Sequence, residues 1–125
     1  MRFISTYIHG VMDYIAGIVL IGTPWALGLP IGGPETWIPV TIGVLMLGAA
    51  MFTDYEFGLV RMIPMPMHLG MDAMLGVVLA ISPWMFHFEQ IVWIPHLVVG
   101  VAEIGGALMT QTRASRRGPL SALGI

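Results

Sequence analysis

The sequence has no cysteine and no lysine, and only 10% of its 125 residues are charged. The missing thiols exclude disulfides, thiolate metal sites and cysteine nucleophiles. The scarcity of charge excludes more, because an average soluble domain carries roughly a quarter charged residues. A soluble chain of this length exposes so much surface that long polar segments would be needed to cover it, and none precedes Thr112. Net charge is −2, and the five arginines sit at segment ends, so no basic face exists for nucleic acid and that class of partner is set aside. No Ser/His/Asp constellation, phosphate loop or cofactor fingerprint speaks for catalysis.

What the chain has in abundance is apolar length, 57% of its residues. A helix needs about 20 mostly apolar residues to cross the hydrocarbon core. Four such runs appear, bounded by proline, glycine or charge: residues 3–29, stopped by Leu29-Pro30-Ile31-Gly32-Gly33-Pro34; 37–55; 67–87, after Pro64-Met65-Pro66; and 93–112. His9 and Asp13 interrupt the first run, which argues against a cleaved signal peptide. The expected organisation is a first hairpin over 1–57, an interfacial connector over 58–66, a second hairpin over 67–112 and a polar tail over 113–125.

All arginines fall on one side of this plan: Arg2, Arg61, Arg113, Arg116 and Arg117. The opposite loops, 30–36 and 87–92, carry Glu35 and Glu89 but no basic residue, so the positive-inside rule puts both termini in the cytoplasm. Trp25 and Trp84 end the odd runs while Trp37 and Trp93 begin the even ones, placing all four at the non-cytoplasmic interface.

The chain also repeats itself. His9-Gly10-Val11-Met12-Asp13, Gly17 and Thr23-Pro24-Trp25 align without a gap on His68-Leu69-Gly70-Met71-Asp72, Gly76 and Ser82-Pro83-Trp84, 59 residues on. Trp37-Ile38-Pro39 likewise matches Trp93-Ile94-Pro95, and after a one-residue slip Gly48-Ala49-Ala50 matches Gly105-Gly106-Ala107. The unit is a helical hairpin with an even number of spans, so both copies enter the membrane in the same direction, about an approximate two-fold axis along the membrane normal. The fold class is therefore all-α: an integral membrane four-helix bundle made of two parallel, same-orientation hairpin repeats. Recurrent small residues on the even runs (Gly43, Gly48, Ala49, Ala50; Gly100, Gly105, Gly106, Ala107) allow close helix approach.

With Ser82-Pro83-Trp84 and its near copy Thr23-Pro24-Trp25 at one depth of a two-helix repeat, the chain resembles the SPW-repeat family of small prokaryotic membrane proteins. The resemblance covers nearly the whole chain and implies its fold and a place in the prokaryotic cytoplasmic membrane. It carries over no activity and no catalytic residue. The motif has a physical reason: Pro24 and Pro83 free the carbonyls of Leu20 and Leu79, and the preceding hydroxyl can help to satisfy freed groups while tryptophan anchors the bent end.

Ionisable groups deep in a bilayer cost about 2.5 to 3.5 kcal/mol each, so they need partners or a use. His9 and Asp13 share one face of the first helix, and His68 and Asp72 repeat them on the third. Counted from Phe3, Asp13 lies about 15 Å deep, and Glu103 descends a similar distance from the other face. Two-fold symmetry brings the four to the bundle centre with Glu103 beside them, although Met46 stands at the position equivalent to Glu103. Three uses stay open. The first is packing, with imidazole–carboxylate hydrogen bonds fixing helix register. The second is a metal or haem site on His9, Asp13, His68 and Asp72, for which neither H-E-x-x-H nor paired E-x-x-H is present. The third is a proton or ion relay. Clustered Met and His over Arg61 to His68 form a separate candidate for monovalent copper, whereas His87 and His96 are expected to be solvated or backbone-bonded at the outer interface. The sequence thus describes a small membrane protein in contact with lipid, structural or an accessory subunit of a larger assembly or homo-oligomer, with a metal-, haem- or proton-handling role as the alternative.

Overall fold

A computed structural model describes residues 2–113. The tail positions Arg116 and Arg117 lie outside the described residues. Four helices form: α1 (Thr6–Ala26), α2 (Pro34–Met51), α3 (Met65–Met85) and α4 (Ile94–Met109). Three begin where proline is tolerated, in the first turn whose N–H groups have no helical partner: Pro34 in α2, Pro66 in α3 and Pro95 in α4. Ser5 caps α1 instead, its hydroxyl accepting from the Ile8 amide. The odd helices stop identically: Leu29 and Phe88 donate their amides to the Pro24 and Pro83 carbonyls, each at 2.8 Å. Gly28 holds the left-handed turn position in the first copy (φ 63°), and His87 holds it in the second (φ 59°).

α1, α2 and α3 are long and apolar enough to cross a membrane. α4 is shorter, at 16 residues or about 24 Å. It is shorter than the apolar run because Trp93 already stands outside it as the cap and Thr110 turns extended to bridge to Ile4. α2 likewise ends at Met51, and Thr53 bridges to Ile63. These two bridges are repeat equivalents, and each ties the end of an even helix to the strand-like approach to an odd one.

Packing is densest within each hairpin, α1 on α2 and α3 on α4, and α2 against α3 joins the two. At each crossing two glycines face one another: a Cβ on Gly17 or Gly43 would strike the other's carbonyl, and Gly76 and Gly100 repeat the arrangement. The interior is divided. One apolar cluster gathers Leu20, Ile42, Met46, Leu75 and Leu79; another gathers Ala50, Tyr55, Met65, Leu69 and Ala107. α3 runs between them, and Asp72 falls in the gap. Outside, Ile8, Ile15, Ile18, Val44, Leu45, Met74, Val98, Val101 and Leu108 stand exposed, while among the described residues thirteen apolar and fourteen polar or charged side chains are buried. A surface this apolar over a core this polar suits hydrocarbon, not water. All four tryptophans are exposed near the end of the bundle at which α1 and α3 finish.

The proline motif works differently in its two copies. Ser82 Oγ donates to the Leu79 carbonyl at 2.7 Å, the carbonyl that Pro83 frees, whereas Thr23 Oγ1 donates to the Val19 carbonyl at 2.6 Å, one residue before Leu20. Threonine's branched Cβ restricts its rotamers in a helix, and it takes the bond four residues back while serine takes the one three back.

The glycine crossings give a paired prediction on one helix. A Cβ at Gly100 would lie 2.6 Å from the Gly76 carbonyl and 2.7 Å from the Ala80 amide, whereas nothing stands within 4 Å of one at Gly105. Gly100→Ala is expected to cost about 1 to 3 kcal/mol through forced backbone separation. Gly105→Ala is expected to be neutral or stabilising by up to about 1 kcal/mol from helix propensity. Detergent unfolding curves followed by circular dichroism measure both.

Candidate functional site

His9 and His68 stand in the first turns of α1 and α3, and Asp13 and Asp72 follow one turn later on the same faces. The four side chains meet, and none is more than 2% exposed. The bonds cross between repeats: His9 Nε2 lies 2.8 Å from Asp72 Oδ2, and His68 Nε2 lies 2.9 Å from Asp13 Oδ2. Within each helix the imidazole also reaches its own carboxylate, at 3.1 Å for His9–Asp13 and 3.0 Å for His68–Asp72. Each ring nitrogen Nε2 therefore faces both carboxylates, in a closed ring of four groups.

The other face of each imidazole is held by a threonine. Thr110 Oγ1 lies 2.8 Å from His9 Nδ1 and donates its own proton to the Gly106 carbonyl at 2.6 Å. Thr53 Oγ1 lies 2.7 Å from His68 Nδ1 and donates to the Ala49 carbonyl at 2.5 Å. A hydroxyl has one proton, and both are used on carbonyls, so each threonine oxygen accepts and each Nδ1 carries the hydrogen. That fixes the tautomer: with Nδ1–H committed outward, the remaining nitrogen of both rings points at the carboxylates. In the ion-free quartet a proton lies between each Nε2 and its carboxylate, and the four groups sum to neutral whichever side holds it. Tyr55 adds a long contact from its hydroxyl to Asp13 Oδ2 at 3.4 Å, while Asp13 Oδ1 is buried without a hydrogen bond.

Thr53 and Thr110 are the residues that the sequence reading passed over. Both stand near the ends of the expected apolar runs, where a hydroxyl attracts no notice. The usable signal was their repeat equivalence, since each follows a matched small-residue triplet, Gly48-Ala49-Ala50 or Gly105-Gly106-Ala107. The connector is expected from the sequence over 58–66, but not its fold-back. Residues 52–64 fold back over the quartet, burying Tyr55 and Glu56; Thr6 Oγ1 donates to the Glu56 carboxylate at 2.7 and 2.8 Å. Phe57 packs beside Tyr7, Tyr14 and Tyr55 against Gly10, where any side chain would collide with it.

Other sequence candidates fare variously. Glu103 is buried, but it packs by Gly76, one turn beyond Asp72, and among the described residues no hydrogen bond joins it to the quartet. Its equivalent Met46 lies in the apolar core. Counted from the observed start of α1, Asp13 is about 10 Å along the helix, shallower than the count from Phe3 suggested. The Met/His connector does not converge: Met62 and Met67 are exposed while Met65 and His68 are buried. His87 is exposed at its left-handed position. His96 departs from expectation, being buried against the Phe88 ring with neither nitrogen hydrogen-bonded. Thr23, Pro24, Trp25 and Ser82, Pro83, Trp84 all lie at the far ends of α1 and α3 and contribute nothing to the quartet.

Chemically, the quartet gathers two imidazole nitrogens and carboxylate oxygens within 4.8 Å of one another. A single cation fits that set. A haem does not, because Asp13 and Asp72 occupy the space between the two imidazoles where a flat macrocycle would lie.

The SPW repeat domain family model matches residues 7–110. The chain belongs to the SPW repeat family, and it is an integral membrane protein. No curated protein and no solved structure matches it.

The threonine relays make a direct prediction. Thr110→Val keeps the side-chain shape but leaves His9 Nδ1–H buried without an acceptor, at an expected cost of about 1 to 3 kcal/mol, and Thr110→Ser should restore most of it. Chemical unfolding of the three proteins in one detergent measures the effect.

Proposed function

We propose that this is a small structural membrane protein of the prokaryotic cytoplasmic membrane, serving as an accessory component of a larger membrane assembly, in which the quartet clasps two hairpins into one bundle. The observation that carries the reading is the crossing of the hydrogen bonds: the 2.8 and 2.9 Å contacts both run from one repeat to the other. In hydrocarbon each hairpin alone would leave an imidazole and a carboxylate poorly satisfied, and only the partner hairpin completes them. The association is thereby made specific in register, a role for which buried polar groups are well suited.

The matched bridges Ile4–Thr110 and Thr53–Ile63 support a same-direction entry of the two hairpins, and the arginines Arg2 and Arg61 at their shared end favour the cytoplasmic side for it. Arg2 belongs to that end, donating to the Ala107 and Thr110 carbonyls at 2.9 and 2.7 Å, where a cation suits a helix C-terminus. The accessory role is supported by the outward faces of α2 and α4, where Gly48 and Gly105 have nothing packed over them, leaving a small-residue surface open to another helix.

A double-mutant cycle tests the clasp. In chelator-treated protein, His9→Gln and Asp72→Asn are each expected to cost on the order of 3 to 5 kcal/mol, since either leaves a buried partner uncompensated. Together they should cost less than the sum by about 1 to 3 kcal/mol. Additive losses would show that the inter-repeat bond holds nothing. The orientation has its own test, helped by the absence of native cysteine. A cysteine introduced at Arg61 should react with impermeant maleimide only from the cytoplasmic side, and one at Gln90 only from outside; labelling of both from one side contradicts the topology.

A further inference from the structure

The quartet has a property that clasping does not require. A clasp needs pairs, yet here two imidazole nitrogens and oxygens of two carboxylates all lie within 4.8 Å of one another. We propose that His9 Nε2, His68 Nε2 and one oxygen each of Asp13 and Asp72 form a binding site for a single divalent ion of the first transition row, of the zinc, manganese or iron(II) class. The inference deepens the clasp reading and rests on it for the same four side chains.

Three features of the quartet carry it. The first is the tautomer. Histidines that ligate a metal nearly always donate their other ring hydrogen to a fixed acceptor, which sets the ring and leaves a lone pair for the ion. Thr110 and Thr53 supply that acceptor at 2.8 and 2.7 Å, and each is itself locked by a helix carbonyl. Both rings are prepared in the same way, though the two threonines come from different parts of the chain. The second is Asp13 Oδ1, an oxygen of a residue only 1% exposed, held 3.1 Å from His9 Nε2 with no hydrogen bond of its own. An inward-facing lone pair without a donor is what an ion would satisfy. The third is size. Bonds of about 2.0 to 2.1 Å to a tetrahedral ion put neighbouring ligand atoms roughly 3.3 Å apart. The imidazole–carboxylate contacts, with Asp13 using a different oxygen toward each histidine, run from 2.8 to 3.1 Å, close to that spacing, and the four donor groups lie within 4.8 Å of one another.

Charge and donor type select the class. Binding displaces the two protons shared between each Nε2 and its carboxylate; with both Nδ1 hydrogens outward the inward atoms then carry two negative charges, which one divalent ion cancels, and a neutral sum is what hydrocarbon tolerates. Mixed imidazole and carboxylate donors suit zinc, manganese and iron(II). Magnesium and calcium want a fuller oxygen shell that includes water or carbonyls, for which the apolar clusters on either side leave no room. Monovalent copper prefers sulfur, and Met62 and Met67 are turned away.

The test uses the full chain in detergent, stripped with chelator, equilibrated with Zn²⁺ or Co²⁺ and freed of excess by gel filtration. The expected result is one ion per chain, a cobalt spectrum with the visible bands of a four-coordinate nitrogen–oxygen site, and no displacement by excess Mg²⁺. Asp13→Asn with Asp72→Asn should abolish retention. Thr53→Val with Thr110→Val, which removes no ligand, should weaken affinity by about 10- to 100-fold with helicity unchanged. No retained ion in the wild-type protein, the pale spectrum of six-coordinate aqueous cobalt, or full stoichiometry in the double asparagine variant would overturn the proposal. If that variant does not fold, the threonine pair decides, and unchanged affinity there overturns it. The clasp stands or falls separately, because its coupling is measured with chelator present.

Discussion

Hydrocarbon does not solvate an ion pair, and this constraint organises the molecule. Two imidazoles and two carboxylates placed in the odd helices must find one another, because no water and no backbone group there can replace them. The crossed arrangement answers that need with pieces from both repeats: each histidine takes a carboxylate from the other hairpin on one nitrogen and a threonine at the end of an even helix on the other. The remaining features serve this meeting. Facing glycines let the helices of each hairpin approach to backbone contact, and the extended bridges at Thr53 and Thr110 carry the hydroxyls to the imidazoles. The apolar clusters on both sides keep the ring dry.

Much of this was legible in the residues. The fold class and the family followed from four apolar runs, the scarcity of charge and the paired hydroxyl-Pro-Trp motif. The repeat aligned His9 with His68 and Asp13 with Asp72, and spacing alone put each pair on one helix face. What sequence could not show was where the even helices end. A hydropathy run does not record that Thr53 and Thr110 leave the helix to pair with Ile63 and Ile4, so the residues that set the tautomers looked like ordinary span ends. The same blindness covered Tyr55 and Glu56, whose burial depends on the connector folding back, and His96, which packs against Phe88 of the turn before α4. Glu103 stands between these cases: its depth suggested a place beside the cluster, and it is buried there with its Cβ by Gly76 and, among the described residues, no hydrogen bond to the quartet.

The symmetry is closest where the chemistry is and looser elsewhere. His9/His68, Asp13/Asp72 and Thr110/Thr53 superimpose in role, as do the glycine crossings and the proline-capped turns. Around them the copies diverge. Met46 stands opposite Glu103, Gly28 opposite His87, and the aromatic cover of Tyr55 and Phe57 lies over Gly10, whose equivalent is Leu69. The two copies thus differ in the interior around the quartet as well as outside it, while the partners of the quartet itself stay matched.

The most direct measurement of the central claim is nitrogen-15 magnetic resonance of the imidazoles of His9 and His68 in chelator-treated protein in micelles. The account predicts Nδ1 hydrogens on both rings that exchange slowly with water, and Nε2 shifts of strong hydrogen bonds that move together when Asp72 is changed to asparagine. Imidazole signals that exchange freely with bulk water and follow its pH independently would contradict it.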